Sequence, residues 1–581
     1  MKAKANLFRT LVVLPVVVLV AGAVALFGLG LRTAETQTTT ASTTTYYEVQ
    51  DLGTLGDNGR YSSAKGINDS GQVVGYSRLN DGYDHAFLYD GTMHDLGTLW
   101  SGGSSYAYDI NNSGQVVGSS GHAFIYDSAN GMKDLNDVVP AWDYPDLPIE
   151  GAWAINSDGK IAAGAGYGGS FLLTPATTAT PATYEVQYLG TLENEYGYEY
   201  GYVSPTDIND SGQAVGTEVW NWNEGGSATD WNGFLYDESA TPKMHDLGRG
   251  LSPTDINNSG KVLVGSSLYD SATQQSQDLG TVGGYYSSRP SGLNDKDQVV
   301  GSVCNEKQHS GTDGSWYYDS CHASLKESGK PMIDLSTLIP PNSGWTIEGA
   351  TAINIDGKIA ANGSKAGVGT HALVLTPTSD IPAPNITSSP NIYDSDGSFS
   401  VSGTAIAAST VELFEGTTST GKTTKADSSS GAWSIDLSGV SEGAHTYSAK
   451  AKDAAGNTSS ASNTVTVTVD KTAPMVKSVT PSDRATGVSP STTATASFSE
   501  DMDPATLTTS TFTLTKQGSA TPITATVSYD TTTKTATLKP SSTLAANTKY
   551  TATVKGGASG TKDKAGNALA SNKVWSFTTK K

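Results

Sequence analysis

A nine-residue string, Ile-Asn-Asp-Ser-Gly-Gln-Val-Val-Gly at 67–75, returns six more times along this chain. The copies are Ile110–Gly118, Ile155–Gly164, Ile208–Gly216, Ile256–Gly265, Leu293–Gly301 and Ile353–Gly363, with starts 43, 45, 53, 48, 37 and 60 residues apart. A period of this length with several strands per unit marks a repeat array, in which neighbouring units bury each other's faces. One unit reads as four β segments. The first ends in the Ile-Asn pair, as in Ser62–Asn68, and Asp69-Ser70-Gly71 makes a tight turn with Gly in the left-handed position. Gln72–Ser77 is the second segment, His85–Asp90 the third and Met93–Leu99 the fourth, with Asp90-Gly91 as a hairpin turn.

The fourth segment starts at Asp51, Asp95, Asp134, Tyr188, Asp246, Asp278 and Asp334, each time before a turn motif. The last unit ends at Leu375-Thr376-Pro377 with no fourth segment after it, whereas Tyr47–Leu55 stands spare at the start. This spare strand is expected to pair into the last unit and close the ring, which removes exposed sheet edges. The expected fold class is all-β: a seven-bladed β-propeller over residues 46–377, then two β-sandwiches, with one N-terminal hydrophobic helix in front.

His85-Ala86-Phe87 and His122-Ala123-Phe124, with the Asp-Leu-Gly-Thr-Leu and Ile-Asn-Asp-Ser-Gly-Gln-Val-Val-Gly strings, resemble the HAF-repeat family of bacterial extracellular proteins. Later copies drift, as at Asn232-Gly233-Phe234, Cys321-His322-Ala323 and Thr370-His371-Ala372. The resemblance implies an outer location and brings no catalytic residues. Residues 390–470 look like the Ig-like domains repeated in bacterial surface proteins. Residues 472–581 resemble the SbsA S-layer type of Ig-like domain, through Phe498-Ser499-Glu500-Asp501-Met502-Asp503, Asp563-Lys564-Ala565-Gly566-Asn567 and Trp575-Ser576-Phe577-Thr578-Thr579. Residues 378–389 are read as a linker, and the resemblance implies spacer or cell-surface modules.

Lys2, Lys4 and Arg9 precede an uncharged apolar run, Leu11 to Leu31. Residues 1–35 are read as a signal peptide or signal anchor, and 36–45 as a Thr-rich linker. Both readings put the rest outside the cytoplasm, with membrane contact only through the N-terminal segment. There Cys304 and Cys321, the only cysteines, are expected to form a disulfide. A zinc site that adds His309 and His322 is the lesser alternative. The net charge of −21 repels phosphate backbones, so nucleic acid is not an expected partner.

No Gly-x-Ser-x-Gly, His-Glu-x-x-His, phosphate loop or Cys-x-x-Cys is present, and no catalytic residue is assigned. Asp230, Glu224, Glu195 and Glu199 are acids in aromatic loops. A glycan-active hydrolase or lyase would need such a pair, but a chain this acidic carries loop acids by chance. The repeated asparagines, from Asn68 to Asn354, are read as caps of their own turns. No cofactor is required. Asp394, Asp396, Asp453–Asn457, Asp470 and Asp563–Asn567 would suit calcium, although turn formation explains the same residues without an ion.

In a propeller the fourth-to-first and second-to-third connections open on one face. Here those connections hold Tyr61, Trp100, Tyr106, Tyr285, Tyr286 and Trp345 among many other aromatics, while the opposite face is short-looped and plain. Exposed Tyr and Trp on variable loops offer flat surfaces to a glycan or a surface protein. Tyr196, Tyr198, Tyr200, Tyr202, Trp220, Trp222 and Trp231 in the fourth unit are the candidate ligand-binding residues. The competing readings are rings packed under their own loops, and a structural component of a surface layer.

Overall fold

The computed structural model describes residues 44–56, 61–139, 148–165, 169–176, 183–192, 201–221, 229–305, 309–310, 316–317 and 320–581. The apolar run expected to be a helix lies outside them. Among the described residues no helix is long and apolar enough to cross a membrane.

Among the described residues the repeat region forms seven four-stranded antiparallel sheets. The first strands of the seven are Ser62–Ile67, Tyr106–Ile110, Ile149–Ile155, Gly201–Ile208, Pro253–Ile256, Ser287–Leu293 and Thr346–Ile353. In sheets one to six the four strands follow in chain order. In sheet seven the fourth place is taken by Tyr46–Asp51, which pairs with Gly369–Thr378 from Tyr46↔Thr378 to Asp51↔Leu373. In sheet six, Cys304 and Cys321 are opposite each other on adjacent strands and form a disulfide. That rules out the zinc alternative, since both thiols are consumed and the ring of His322 faces Asp334 at 2.9 Å.

Strand side chains alternate between two faces, and in each sheet both faces are apolar. Each sheet therefore needs a neighbour on both sides. Val74, Ala107 and Phe124 fill the space between sheets one and two, and Ala162, Val203 and Phe234 that between three and four. The same holds around to Leu52, Ala64 and Val374, which join sheet seven to sheet one.

Every first strand carries a β-bulge two residues before its Ile or Leu. Opposite the bulge the second strand has the Gly of the repeat in sheets one, two, four and six, and Ala163, Val264 or Ala361 in the other three. A Cβ on Gly75, Gly118, Gly216 or Gly301 would collide with the carbonyl oxygen of Ser63, Tyr106, Ser204 or Arg289 respectively. In those four sheets the glycine is a close-approach requirement created by the bulge.

The recurring asparagine has two jobs. Its Oδ1 accepts from the backbone N–H four residues on, at 2.8–3.0 Å, which caps the turn. Its Nδ2 donates to the carbonyl oxygen of the asparagine in the next sheet, at 2.9–3.2 Å. The seventh, Asn354, donates back to Asn68 at 3.1 Å, so the seven bonds form a closed cycle. All seven asparagines are 3–5% exposed. Capping alone therefore does not account for their recurrence.

The two C-terminal domains are each a pair of packed sheets. Residues 385–469 form a three-stranded and a five-stranded sheet around Trp433, Tyr447 and Val467. Residues 476–579 form two four-stranded sheets around Phe512, Trp575 and Phe577. The first shares one continuous core with sheet seven, through Tyr46, Tyr47, Ile381 and Ile406. The Tyr46 hydroxyl also donates to Asp453 at 3.3 Å.

Asn209→Asp keeps the capping acceptor and loses the donor to the next sheet. It is expected to cost about 1–3 kcal/mol in urea unfolding at pH 7, the penalty for an unmet buried hydrogen bond. Gly75→Ala, which forces strands apart at a bulge, is expected to cost about 1–3 kcal/mol in the same measurement.

Candidate functional site

The turns that end the first strands surround a central cavity of about 350 Å³. Its wall includes the asparagine cycle and three carboxylates, Asp109, Asp207 and Asp255, each immediately before the Ile of its repeat. Each accepts from the backbone of the following sheet: Ile155 N at 2.9 Å, Ile256 N at 2.7 Å and Leu293 N at 2.8 Å. Burial raises the pKa of all three. Asp207 is raised well above the carboxylate range by burial and then by the charge of Asp255, with which it shares a hydrogen bond. Asp255 is pushed up to about 6. These groups join neighbouring sheets around a polar cavity, and the backbone bonds account for their placement.

The histidine of the His-Ala-Phe string is also explained by packing. His85, His122 and His322 pair with Asp95, Asp134 and Asp334, which lead the fourth strands, at 3.0, 2.7 and 2.9 Å. In sheet seven His371 pairs with Asp51 at 2.8 Å, which ties the closing strand in place. In sheet four Asn232 takes the histidine's part and donates to Asp246 at 3.0 Å. Three of the loop aromatics rest on these pairs. Trp100 stands edge-on to His122 with centroids 4.7 Å apart, Trp345 lies 5.7 Å from His371, and the Tyr285 hydroxyl donates to Asp334 at 2.8 Å. Packing under their own loops explains Trp345 and Tyr285, whereas Trp100 leans on His122 and stays 48% exposed.

Of the candidate ligand-binding residues, Tyr196, Tyr198, Tyr200 and Trp222 lie outside the described residues, as do Glu195, Glu199 and Glu224. Tyr202, Trp220 and Trp231 lie on adjacent strands at one end of sheet four, in the rungs Tyr202↔Val219, Trp220↔Asp230 and Val219↔Trp231. Trp231 is 40% exposed. The structure thus brings those three backbone positions together.

A second aromatic group joins Tyr61 and Tyr106, expected in the loops, to Tyr76, Tyr108 and Trp153, which sit on strands. Tyr76 faces Tyr106 edge-on at 5.0 Å and Tyr61 at 5.9 Å. Tyr108 stacks on Trp153 at 4.9 Å with 22° between planes. The Lys65 ammonium lies 5.7 Å from the Tyr76 centroid. Lys65, Tyr108 and Trp153 are the bulged residues of sheets one, two and three. The signal in the sequence was their alignment with Thr206, Thr254, Ser291 and Thr351 in the other four repeats.

The calcium-suited acids separate into different places. Asp453 caps its own turn through Asn457 and also takes the Tyr46 hydroxyl. Asp394 caps the turn that contains Asp396. Asp470, Glu500 and Asp563 do converge, with carboxylate oxygens within 4.8 Å of one another at the joint of the two C-terminal domains. Asn567 braces the joint by donating to the Asp470 carbonyl at 2.6 Å and to Asp563 at 2.9 Å. Hard oxygens in this arrangement are the donor type for a calcium ion. Burial, a hydrogen bond to Asp470 and the charges of Asp470 and Asp563 push Glu500 up to about 7.

Residues 386–471 and 470–579 each match a model described as a bacterial Ig-like domain. Residues 31–165 match one described as a protein of unknown function (DUF3466). No curated protein matches the chain. Among solved structures, the extracellular domain assigned to a hybrid two-component system of B. thetaiotaomicron is 13% identical with a TM-score of 0.35, over 73% of this chain and 57% of that one. The fibronectin(III)-like modules of Clostridium thermocellum CbhA are 16% identical with a TM-score of 0.20, over 34% of this chain and 94% of that one. The extracellular domain assigned to a one-component system of B. thetaiotaomicron is 10% identical with a TM-score of 0.18, over 70% of this chain and 86% of that one. The chain spans 57% of the length of the first of these. Two bacterial Ig-like domains point to a surface or extracellular protein, and a disulfide accords with that location.

A carboxyl whose folded pKa is raised is stabilising while protonated. Its contribution is present below the unfolded value near 4.5 and lost as pH rises through about 7. Glu500→Gln is therefore expected to flatten the fall in melting temperature of the C-terminal domain between pH 4.5 and 7, and to raise it at pH 8. Calorimetric scans across that range check this.

Proposed function

We propose that the seven sheets are the blades of a closed seven-bladed β-propeller of HAF-type repeats, and that the two Ig-like domains, the second of SbsA type, are spacers. On this reading the protein is a non-catalytic component of the cell surface. It binds a glycan or a surface protein on the propeller face opposite the asparagine turns.

The observation that carries the reading is the division of labour between the two ends of the sheets. At one end the turns are locked by the asparagine cycle and by links such as Asp69 N to Asn112 Oδ1 at 2.9 Å and Asp210 N to Asn258 Oδ1 at 2.8 Å. Little there is free to vary. At the other end the connections differ in length and carry the aromatics, including the exposed Trp231 and the backbone positions of Tyr202 and Trp220. Binding on repeat scaffolds belongs to such variable loops.

The test is binding of the chain to a glycan array and to cell-envelope material, repeated with Trp220→Ala and Trp231→Ala. Retained folding with at least about tenfold weaker binding in one variant supports the aromatic face. Unchanged binding in both removes sheet four from the site, and release of product from a bound glycan replaces the reading with an enzymatic one.

A further inference from the structure

The seven bulges offer a comparison inside one molecule, because the same backbone irregularity recurs in seven settings. At three of the four small bulged residues the hydroxyl serves the scaffold, while the fourth, Thr254, is exposed. Thr206 Oγ1 donates to the Pro253 carbonyl of the next sheet at 3.0 Å, and Ser291 Oγ to the Ala350 carbonyl of the next sheet at 2.5 Å. Thr351 Oγ1 donates to Ala360 at 3.2 Å within its own sheet. In three consecutive sheets the bulged residue is instead Lys65, Tyr108 or Trp153, none of which makes such a bond. A local rule kept in part of an array and broken in one sector marks a place where something other than stability sets the residue. Bulges are also a usual device for re-aiming a side chain.

What the three residues build is coherent. The Trp153 indole lies over Gly151 and Gly164, whose missing side chains make room for it: a Cβ on Gly151 would be 2.9 Å from the ring and one on Gly164 3.3 Å. Gly151 lies farther from the Asn156 turn than Trp153 does, so the ring leans away from the asparagine end. Trp153 remains 37% exposed with Tyr108 stacked on it. Lys65 leans the same way, over Tyr76, which pairs with Ser63. The Tyr61 and Tyr76 hydroxyls are 3.3 Å apart. The neighbouring carboxylate, Asp84, is held by Arg78 through two bonds of 2.8 and 2.9 Å. Lys65 has no carboxylate partner among the described residues, although the chain carries a net charge of −21.

The geometry points to a carbohydrate-binding site on sheets one to three, with the Trp153–Tyr108 pair as the platform for a sugar ring and Lys65 as the contact for an acidic substituent on that chain. This rests on the reading that the loop-rich end of the propeller is the binding face. The exposed 37% of Trp153, with Tyr108 stacked on one side of the indole, offers aromatic surface to the C–H groups of a sugar, and tyrosine hydroxyls supply hydrogen bonds at its edge. The Lys65 ammonium contacts a carboxylate or sulfate at short range, where salt screens the longer-range repulsion from the net charge of −21.

Affinity electrophoresis of the chain in gels holding polygalacturonate, alginate, chondroitin sulfate or the neutral polymers glucomannan and dextran tests this. The expected result is retardation by at least one acidic polymer. Trp153→Ala should weaken it about tenfold or more, Trp153→Phe in part, and Lys65→Met should abolish the preference for acidic over neutral chains. Tyr393→Ala, an exposed aromatic in the first C-terminal domain, should leave it unchanged. Melting curves show that the variants remain folded. If a polymer is bound but the loss follows Trp231→Ala and not Trp153→Ala, this site is overturned while the aromatic-face reading stands. If retardation depends on Trp153 but not on Lys65, the acidic preference is overturned. If none of the polymers retards the chain, the assignment to carbohydrate is overturned, and the array and envelope binding described above decides separately on the face.

Discussion

A primary amide is the one small side-chain group that accepts and donates at once in a fixed plane. The repeat region depends on that property. Each asparagine spends its oxygen on its own turn and its nitrogen on the next sheet, and the seventh donates to the first. Aspartate would cap and fail to donate, serine would not span both partners, and glycine would do neither. The cycle links neighbouring first strands around the central cavity. Apolar contacts such as Phe124 with Val74 fill the space between sheets.

Much of this was legible in the sequence because it depends on local periodicity. The repeat, the four strands per unit, the spare strand (expected at Tyr47–Leu55, found at Tyr46–Asp51) and the pairing of Cys304 with Cys321 all follow from residues read in order. The second half of the asparagine's role was hidden, because its partner is 37 to 60 residues away along the chain, or 286 at the closure. The bulges were hidden for a different reason. Residue by residue, Lys65, Tyr108 and Trp153 look like ordinary strand positions, and only the register between first and second strands reveals the extra residue. Trp345 and Tyr285 are less free than loop aromatics read from sequence, since histidine–aspartate pairs that join strands three and four hold them.

The charged groups follow the same economy. Asp109, Asp207 and Asp255 are buried because each serves a backbone N–H of the next sheet, and the cost appears as raised pKa values rather than as an exposed reactive site. The cluster at Asp470, Glu500 and Asp563 differs in kind. Three carboxylates meet where two separately folded domains join, so their mutual repulsion acts on the joint and leaves both cores untouched.

The closing strand has a mechanical consequence. Tyr46 pairs with Thr378, so the chain enters and leaves sheet seven at the same rung. Tension between the two ends of the repeat region would load the ladder one rung at a time, the geometry of a zipper, which resists force far less well than strands pulled in shear. Tyr46 and Tyr47 are also the residues buried in the core shared with the first Ig-like domain, and Tyr46 is bonded to Asp453 within it. That domain therefore acts as a clasp over the first tooth, and a pull must dislodge a packed aromatic pair before any rung can open.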